Sequence, residues 1–285
     1  MNKSIGIILP IVLFLLFFCV PAQQKQEEPK DANFYIYRGI AYEKKGQFDE
    51  AISDFTRAIE IDPTLASAYY NRGIAYGGKG QYDLAIPDYT KAIEIDPKLA
   101  LAFESRGVAY RQKGQHDKAI ADYTKAIEID PRLASAYYNR GIAYGGKGQY
   151  DRAIADYTKA IEIDPKLALA YANRGVAYRQ KGQYDQAIAD YTKAIEIDQK
   201  LAKVYSNRGV AYRQKGQYDQ AIADFTKAIE IDPKLVLPYY QRGVAYYLKK
   251  EYDKSWQDVK KAQGLGYQIP PKFVEDLKKA SGRQD

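Results

Sequence analysis

From Ala32 to about Ala262 the chain says the same thing over and over at one fixed period. The stretch opening at Ala66 reads ASAYYNRGIAYGGKGQYDLAIPDYTKAIEIDPKL, and edited copies open at Ala32, Ala100, Ala134, Ala168, Ala202 and Val236. Seven units at one period rule out an ordinary globular layout. A unit this short cannot bury its own apolar face, so it must stack on its neighbours into an elongated array.

Within the Ala66 unit, Tyr69, Gly73 and Tyr76 recur at spacings of four and three, which predicts a helix over about 67–79. Asp62-Pro63 before it and Asp96-Pro97 after it read as helix introductions, with Asp accepting from free N–H groups and Pro at the first turn. Gly80 reads as the stop, and Asp83 as the cap of a second helix. That helix carries a broad apolar stripe of Ala85, Ile86, Tyr89, Ala92, Ile93 and Ile95. Gly73, Ala85 and Ala92 allow close helix approach, and the tyrosines fill the remaining space. Those repeated tyrosines account for most of the chain's 28.

The period, the Gly73–Tyr76 pair, Ala85, Tyr89, Ala92 and Pro97 resemble the tetratricopeptide repeat. The resemblance implies an all-α, right-handed superhelical solenoid of seven helix-turn-helix hairpins plus a C-terminal capping helix. It also implies a concave groove, lined by each first helix, that holds peptide segments or helices of partners. Two departures stand out: Tyr69 where the family often has Trp, and Arg72 where it favours Leu.

That arginine has a companion sixteen residues later in every unit: Arg38 and Asp54, Arg72 and Asp88, Arg106 and Asp122, Arg140 and Asp156, Arg174 and Asp190, Arg208 and Asp224, Arg242 and Asp258. The expectation is a structural ion pair, within a hairpin or between adjacent ones, forming a ladder along the stack. Breaking a buried pair costs roughly 3–5 kcal/mol, and an exposed one roughly 0–1 kcal/mol.

In chain order, residues 1–22 read as a signal peptide: Lys3 is followed by an uncharged apolar run and small residues before Gln23. A retained N-terminal anchor is the alternative, and Cys19 raises lipid attachment as a third route. Removal of the leader would take the only cysteine with it and lower the net charge from +7 to +6. Residues 23–31 read as a disordered spacer. The units follow as 32–65, 66–99, 100–133, 134–167, 168–201 and 202–235, then a degenerate 236–269 and a tail 270–285. Units two and three differ from units four and five at only nine positions, which marks a tandem duplication. Gln199 replaces the introducing proline before unit six, and Pro87 falls early in its helix, where a kink is expected rather than a break. Pro270-Pro271 open a final helix, expected over about 272–280, that caps the array with a polar outer face.

Nothing in the pattern points to catalysis. His116, the only histidine, stands where other units carry Tyr82, Tyr150, Tyr184 and Tyr218, and no zinc spacing or phosphate loop occurs. No cofactor and no enzymatic activity are expected. Carrying the family's concave positions across, the resemblance implies a groove of Tyr70, Asn71 and Ile74; Glu104, Val108 and Arg111; Tyr138, Asn139 and Ile142; Asn173, Val176 and Arg179; Asn207, Val210 and Arg213; and Tyr240 and Val244. The asparagines are placed to bond a peptide backbone. The aliphatic floor with Arg111, Arg179 and Arg213 along it suits a protein or peptide of acidic character, not nucleic acid. The expected function is a non-catalytic scaffold or adaptor, exported or held at a membrane through residues 1–22. The alternative is an envelope-tethered spacer whose groove is incidental. The oligomeric state is left open.

Overall fold

The computed structural model describes residues 31–283, so the leader, most of the spacer and Cys19 lie outside the described residues. Among the described residues there are fifteen α-helices and no strand. They form seven hairpins: α1 (Ala32–Lys44) with α2 (Phe48–Ile61), α3 (Ala66–Gly78) with α4 (Tyr82–Ile95), α5 (Ala100–Gln112) with α6 (His116–Ile129), α7 (Ala134–Gly146) with α8 (Tyr150–Ile163), α9 (Ala168–Gln180) with α10 (Tyr184–Ile197), α11 (Ala202–Gln214) with α12 (Tyr218–Ile231), and α13 (Val236–Leu248) with α14 (Tyr252–Gly264). A last helix, α15 (Pro271–Ser281), closes the array. Each second helix packs on its own first helix and on the first helix of the next hairpin, and successive first helices also touch one another. The array is an all-α solenoid.

Hairpin turns follow from one conformation. Gly80 takes φ +72°, which lets its N–H and that of Gln81 return to the carbonyls of Gly77 and Tyr76. In the seventh unit Lys250 occupies that place at φ +63°, a left-handed conformation that costs a residue with a Cβ roughly 1–2 kcal/mol.

The connections between units differ from expectation in two respects. Asp62 does not introduce α3. Its N–H closes the end of α2 on Ala58, and its carboxylate accepts from Thr64 N–H and Oγ1, building a turn outside either helix. Asp96 does the same with Lys98 N–H, while Leu65 and Leu99 occupy the helix N-caps without a side-chain bond. Nor does Asp83 cap α4. Gln81 is the N-cap residue, and Asp83, in the first turn, accepts from Lys113 of the next hairpin. The matching pairs Lys79–Asp49, Lys147–Asp117, Lys181–Asp151, Lys215–Asp185 and Lys249–Asp219 bridge the remaining neighbouring units. A position read as a local cap is thus an inter-unit strut. At the Gln199 junction the turn bond from Leu N–H to Asp C=O, made by Leu65, Leu99, Leu133, Leu167 and Leu235, does not form at Leu201.

Packing explains the small residues. A Cβ built on Gly73 would sit 2.6 Å from Tyr89 Cε1, and Gly107 meets Tyr123 at 2.7 Å, so the second-helix ring lies directly on the first-helix backbone. Ala85, Ala92, Ala119 and Ala126 are fully buried beside them. Tyr69 and Tyr76 lie at the half-buried edge, and Arg72 sits over the Tyr69 ring at 5.8 Å. Pro87 lies inside a continuous α4.

The repeated arginine and aspartate meet within each hairpin. Arg140 donates from Nε and Nη2 to the two oxygens of Asp156, both at 2.8 Å. The same fork joins Arg72 to Asp88, Arg106 to Asp122, Arg174 to Asp190 and Arg208 to Asp224. All five aspartates are buried. The third donor runs between hairpins: Arg140 Nη1 reaches Thr124 Oγ1 at 3.0 Å, and Thr124 hands its own proton to Ile120 C=O. This decides between the two alternatives in favour of a pair within the hairpin. Asp88, Asp122, Asp156, Asp190 and Asp224 carry no ion pair from one hairpin to the next, because both oxygens of each are taken by the arginine of its own hairpin. The ladder is therefore ionic within a hairpin and neutral between hairpins. Arg38, first in line, lacks the threonine bond, and its side chain is 42% exposed against 16% for Arg140.

At the other end, α15 keeps the register of an eighth first helix. Arg283 stands one repeat period after Lys249 and donates to Asp253 at 2.6 Å, continuing the series of struts. Leu277 stands one period after Gly243 and is fully buried against Trp256, Val259 and Ile269. Among the described residues no second helix follows to press on that position, so a bulky side chain fits where glycine is needed elsewhere.

Candidate binding groove

Because successive first helices touch, their inner residues form one surface running from unit to unit. Four residues of the expected floor pair across hairpins. Ile74 and Val108 line a cavity of about 240 Å³ with Gly77, Tyr82, Tyr89 and Ser105. Two units on, Ile142 and Val176 line one of about 250 Å³ with Gly145, Tyr150, Tyr157 and Asn173. Both exist because Gly77 and Gly145 leave space that Arg111 and Arg179 fill in the alternate units, a consequence of the duplication that the sequence pattern contains but reading single units conceals. Val210 packs on Ala221, Phe225 and Ala245, and Val244 is half-buried on α13. The ladder aspartates Asp88, Asp122, Asp156 and Asp190 line neither cavity; they are buried between the two helices of their hairpins.

Several expected groove residues are engaged elsewhere. Asn139 Nδ2 donates to Glu104 Oε1 at 3.0 Å, and Asn173 Nδ2 to the Tyr138 hydroxyl at 3.0 Å. These two asparagines tie the fourth hairpin to the third and the fifth to the fourth, so they do not present their amides to a peptide. Glu104 is buried, which pushes its carboxyl above the usual carboxylate range despite the bonds from Ser135 and Asn139. Asn71 and Asn207 face Ile36 and Ala172 at the corresponding places, residues without a side-chain acceptor, and make no hydrogen bond of their own among the described residues. Tyr70 lies 6.1 Å from the Tyr89 ring. Tyr240 is covered: Tyr267 lies 4.9 Å from it and Phe273 meets it edge-on at 5.7 Å, so the C-terminal segment closes the groove there.

The three groove arginines contrast with the seven of the ladder. Arg111, Arg179 and Arg213 form no ion pair among the described residues, and their Nε atoms are buried without an acceptor. Tyrosines surround them. Burial pushes the Tyr123 phenol up to about 12 against the pull of Arg111, and Arg179 stands in the same relation to Tyr191. Desolvation draws the Arg213 guanidinium below its ordinary value. The side chains are held half-buried, positively charged and uncompensated, a setting in which an incoming carboxylate gains more than it would in water.

Two further features bear on chemistry. His116 rests against Gly146, its Cε1 3.3 Å from where a Cβ would stand, in the place Phe48 takes against Gly78. Among the described residues no group of three or more His, Cys, Asp or Glu side chains is placed to hold a metal ion. No helix among them is long and apolar enough to cross a membrane.

Comparison with known proteins agrees with this architecture. A family model described as TPR repeat matches residues 42–80, 107–148 and 175–214. Two models described as tetratricopeptide repeat match 66–99, 134–167 and 202–235, and 88–121 and 156–189. Together they run without a gap from 42 to 235. No curated protein matches the sequence. Among solved structures, the chain is similar to one from the APC/C hetero-tetramer Cut9–Hcn1 (TM-score 0.66, 22% identity), covering 77% of this chain and 43% of that one. It is also similar to MamA (TM-score 0.54, 33% identity, 57% and 95% covered). A third is YrrB, titled a TPR protein with an unusual peptide-binding site (TM-score 0.55, 26% identity, 65% and 95% covered).

Proposed function

Since the chain belongs to the tetratricopeptide-repeat family, we propose that it is a non-catalytic scaffold that holds an acidic polypeptide segment in its concave groove. One contrast carries the reading. Every ladder arginine has its aspartate, whereas Arg111, Arg179 and Arg213 on the first helices have buried Nε atoms that nothing in the described chain accepts. Charge left uncompensated in a half-dry setting is costly unless a partner supplies the counter-charge. The solved YrrB structure, similar over most of its own length, is titled as having a peptide-binding site, which supports a peptide as the occupant. The leader-like residues 1–22 support export, with partners sought outside the cytoplasm or at a membrane surface.

The test is affinity capture from an extract of the native host with the parent chain and with the Arg179→Glu, Arg213→Glu variant. The expected result is loss of the captured polypeptide by the variant at unchanged helix content. An identical captured set from both would show that the groove is incidental and the chain a structural spacer.

A further inference from the structure

A cavity of about 570 Å³ lies between α9 and α11, beside Ala172. The position holds a large side chain in Ile36, Tyr70, Glu104, Tyr138 and Tyr240, but in units five and six it is the small Ala172 and Ser206, and Ala172 lines the cavity. With that bulk removed, Leu169 and Val176 on one helix and Val204 on the next form an apolar wall, and Lys203 and Asn207 stand among the residues lining the opening. Leu169 is 49% exposed, a large apolar side chain left facing water. Asn207 is the consequence of the same change. Its counterpart Asn139 donates to Glu104, but opposite Asn207 there is only the Ala172 methyl, so its amide stays unused. Ala172 is thus one of the nine differences between the duplicated halves, and it creates a groove feature that the first half lacks.

The charged part of the same face lies a fixed distance away. Arg179 follows Ala172 by seven residues, two helical turns or about 10.5 Å, and Arg213 stands at the same position on α11. An extended chain covers that distance in about three residues. Resting on the acidic-segment reading above, we infer that the cavity at Ala172 is the anchor subsite of the groove. It takes one apolar side chain of an extended partner peptide whose acidic residues, about three positions away, sit on Arg179 and Arg213. The unused Asn207 amide is left to bond the peptide backbone between them. Charge complementarity commits the occupant: the rim carries Lys200 and Lys203, the far end carries two unpaired arginines, and Asp232 is the one carboxylate lining the cavity.

The experiment is selection of a randomised twelve-residue peptide display library on the purified protein, followed by fluorescence anisotropy of enriched peptides. The discriminating variant is Ala172→Tyr, which places in unit five the residue that units two and four already carry, so the fold is known to accept it. Enriched peptides are expected to pair an apolar residue with acidic ones about three positions away. Ala172→Tyr should weaken them about ten- to a hundredfold, the affinity equivalent of burying one apolar side chain. Peptides that are acidic and lost on Arg179→Glu, Arg213→Glu but indifferent to Ala172→Tyr would overturn the anchor while leaving the scaffold reading intact. No enrichment, or binding indifferent to both variants, would overturn the scaffold reading and the anchor together. A concentration-dependent dimer abolished by Ala172→Tyr would assign the cavity to a second copy and overturn the anchor.

Discussion

Asp156→Asn isolates what the ladder contributes. The substitution keeps the shape, removes the charge, and turns an amide N–H₂ toward one of the two Arg140 donors that Asp156 now accepts at 2.8 Å. Orphaning one member of a buried pair costs about 3–5 kcal/mol, and a single bond to a charged group contributes about 1.5–3 kcal/mol. The Asp156 side chain is 8% exposed and that of Arg140 16%, so some water reaches the guanidinium edge and the loss should sit near the low end, about 3 kcal/mol. A control lies on the same helix: Lys159 and Glu162 are about half-exposed, and Glu162→Gln should cost under about 0.5 kcal/mol. Urea unfolding followed by far-UV circular dichroism measures both, fitted with a nearest-neighbour description because a stacked array need not unfold in one step. The Asp156→Asn loss should persist in about 1 M salt, where the Glu162→Gln effect disappears. Replacing Arg140 and Asp156 together by leucine should recover most of the loss. A single-variant cost below about 1 kcal/mol, or a double variant as damaged as the sum of the singles, would refute a desolvated, coupled pair.

Other expectations follow from local geometry. Gly107→Ala forces a methyl to within 2.7 Å of the Tyr123 ring and should destabilise by about 1–3 kcal/mol, whereas Gly243→Ala, with its nearest contacts at 3.4 Å, should gain up to about 1 kcal/mol of helix propensity; melting curves of the two variants give opposite signs if the packing argument holds. Gln199→Pro should stabilise by about 0.4–1 kcal/mol, since five other junctions already hold proline there, and a loss in urea unfolding would mean that this junction differs in backbone as well as in sequence. Glu104 has its carboxyl raised by burial, so its ionisation opposes folding: the penalty is present above its folded-state value and fades as pH falls toward the ordinary carboxylate range. Glu104→Gln should therefore stabilise the chain at neutral pH, with the gain vanishing in acid, and a pH-independent difference would contradict this.

Much of the fold was legible because the repeat supplies the same evidence seven times. Gly73 against Tyr89 and Gly80 at a left-handed turn both follow from residue type at fixed spacing. The sixteen-residue interval from Arg72 to Asp88, from Arg106 to Asp122 and from Arg174 to Asp190 was readable as a pairing. Whether it ran within or between hairpins was not, since both satisfy the same spacing, and only the packed helices decide for the former. What escaped were contacts between units. Asp83 and Asp62 look like caps because capping is the commonest local use of an aspartate before a helix, yet one is a strut and the other a turn. An interval of 30 for the struts and 35 for Asn139–Glu104 and Asn173–Tyr138 was present in the sequence, and a search for complementary residues about one period apart would have found it. The groove suffered most. Concave positions carried over from a family say where a side chain stands, not whether a neighbour has already claimed it.

The unbroken register has a genetic consequence. Every junction between repeats presents the same threonine, lysine and aspartate, and α15 docks on the seventh unit through the strut that any unit offers the next. Recombination between the near-identical halves can therefore insert or delete a whole pair of units and leave both new junctions with complementary partners. Such a change of copy number would leave the contact of α15 with the unit before it intact.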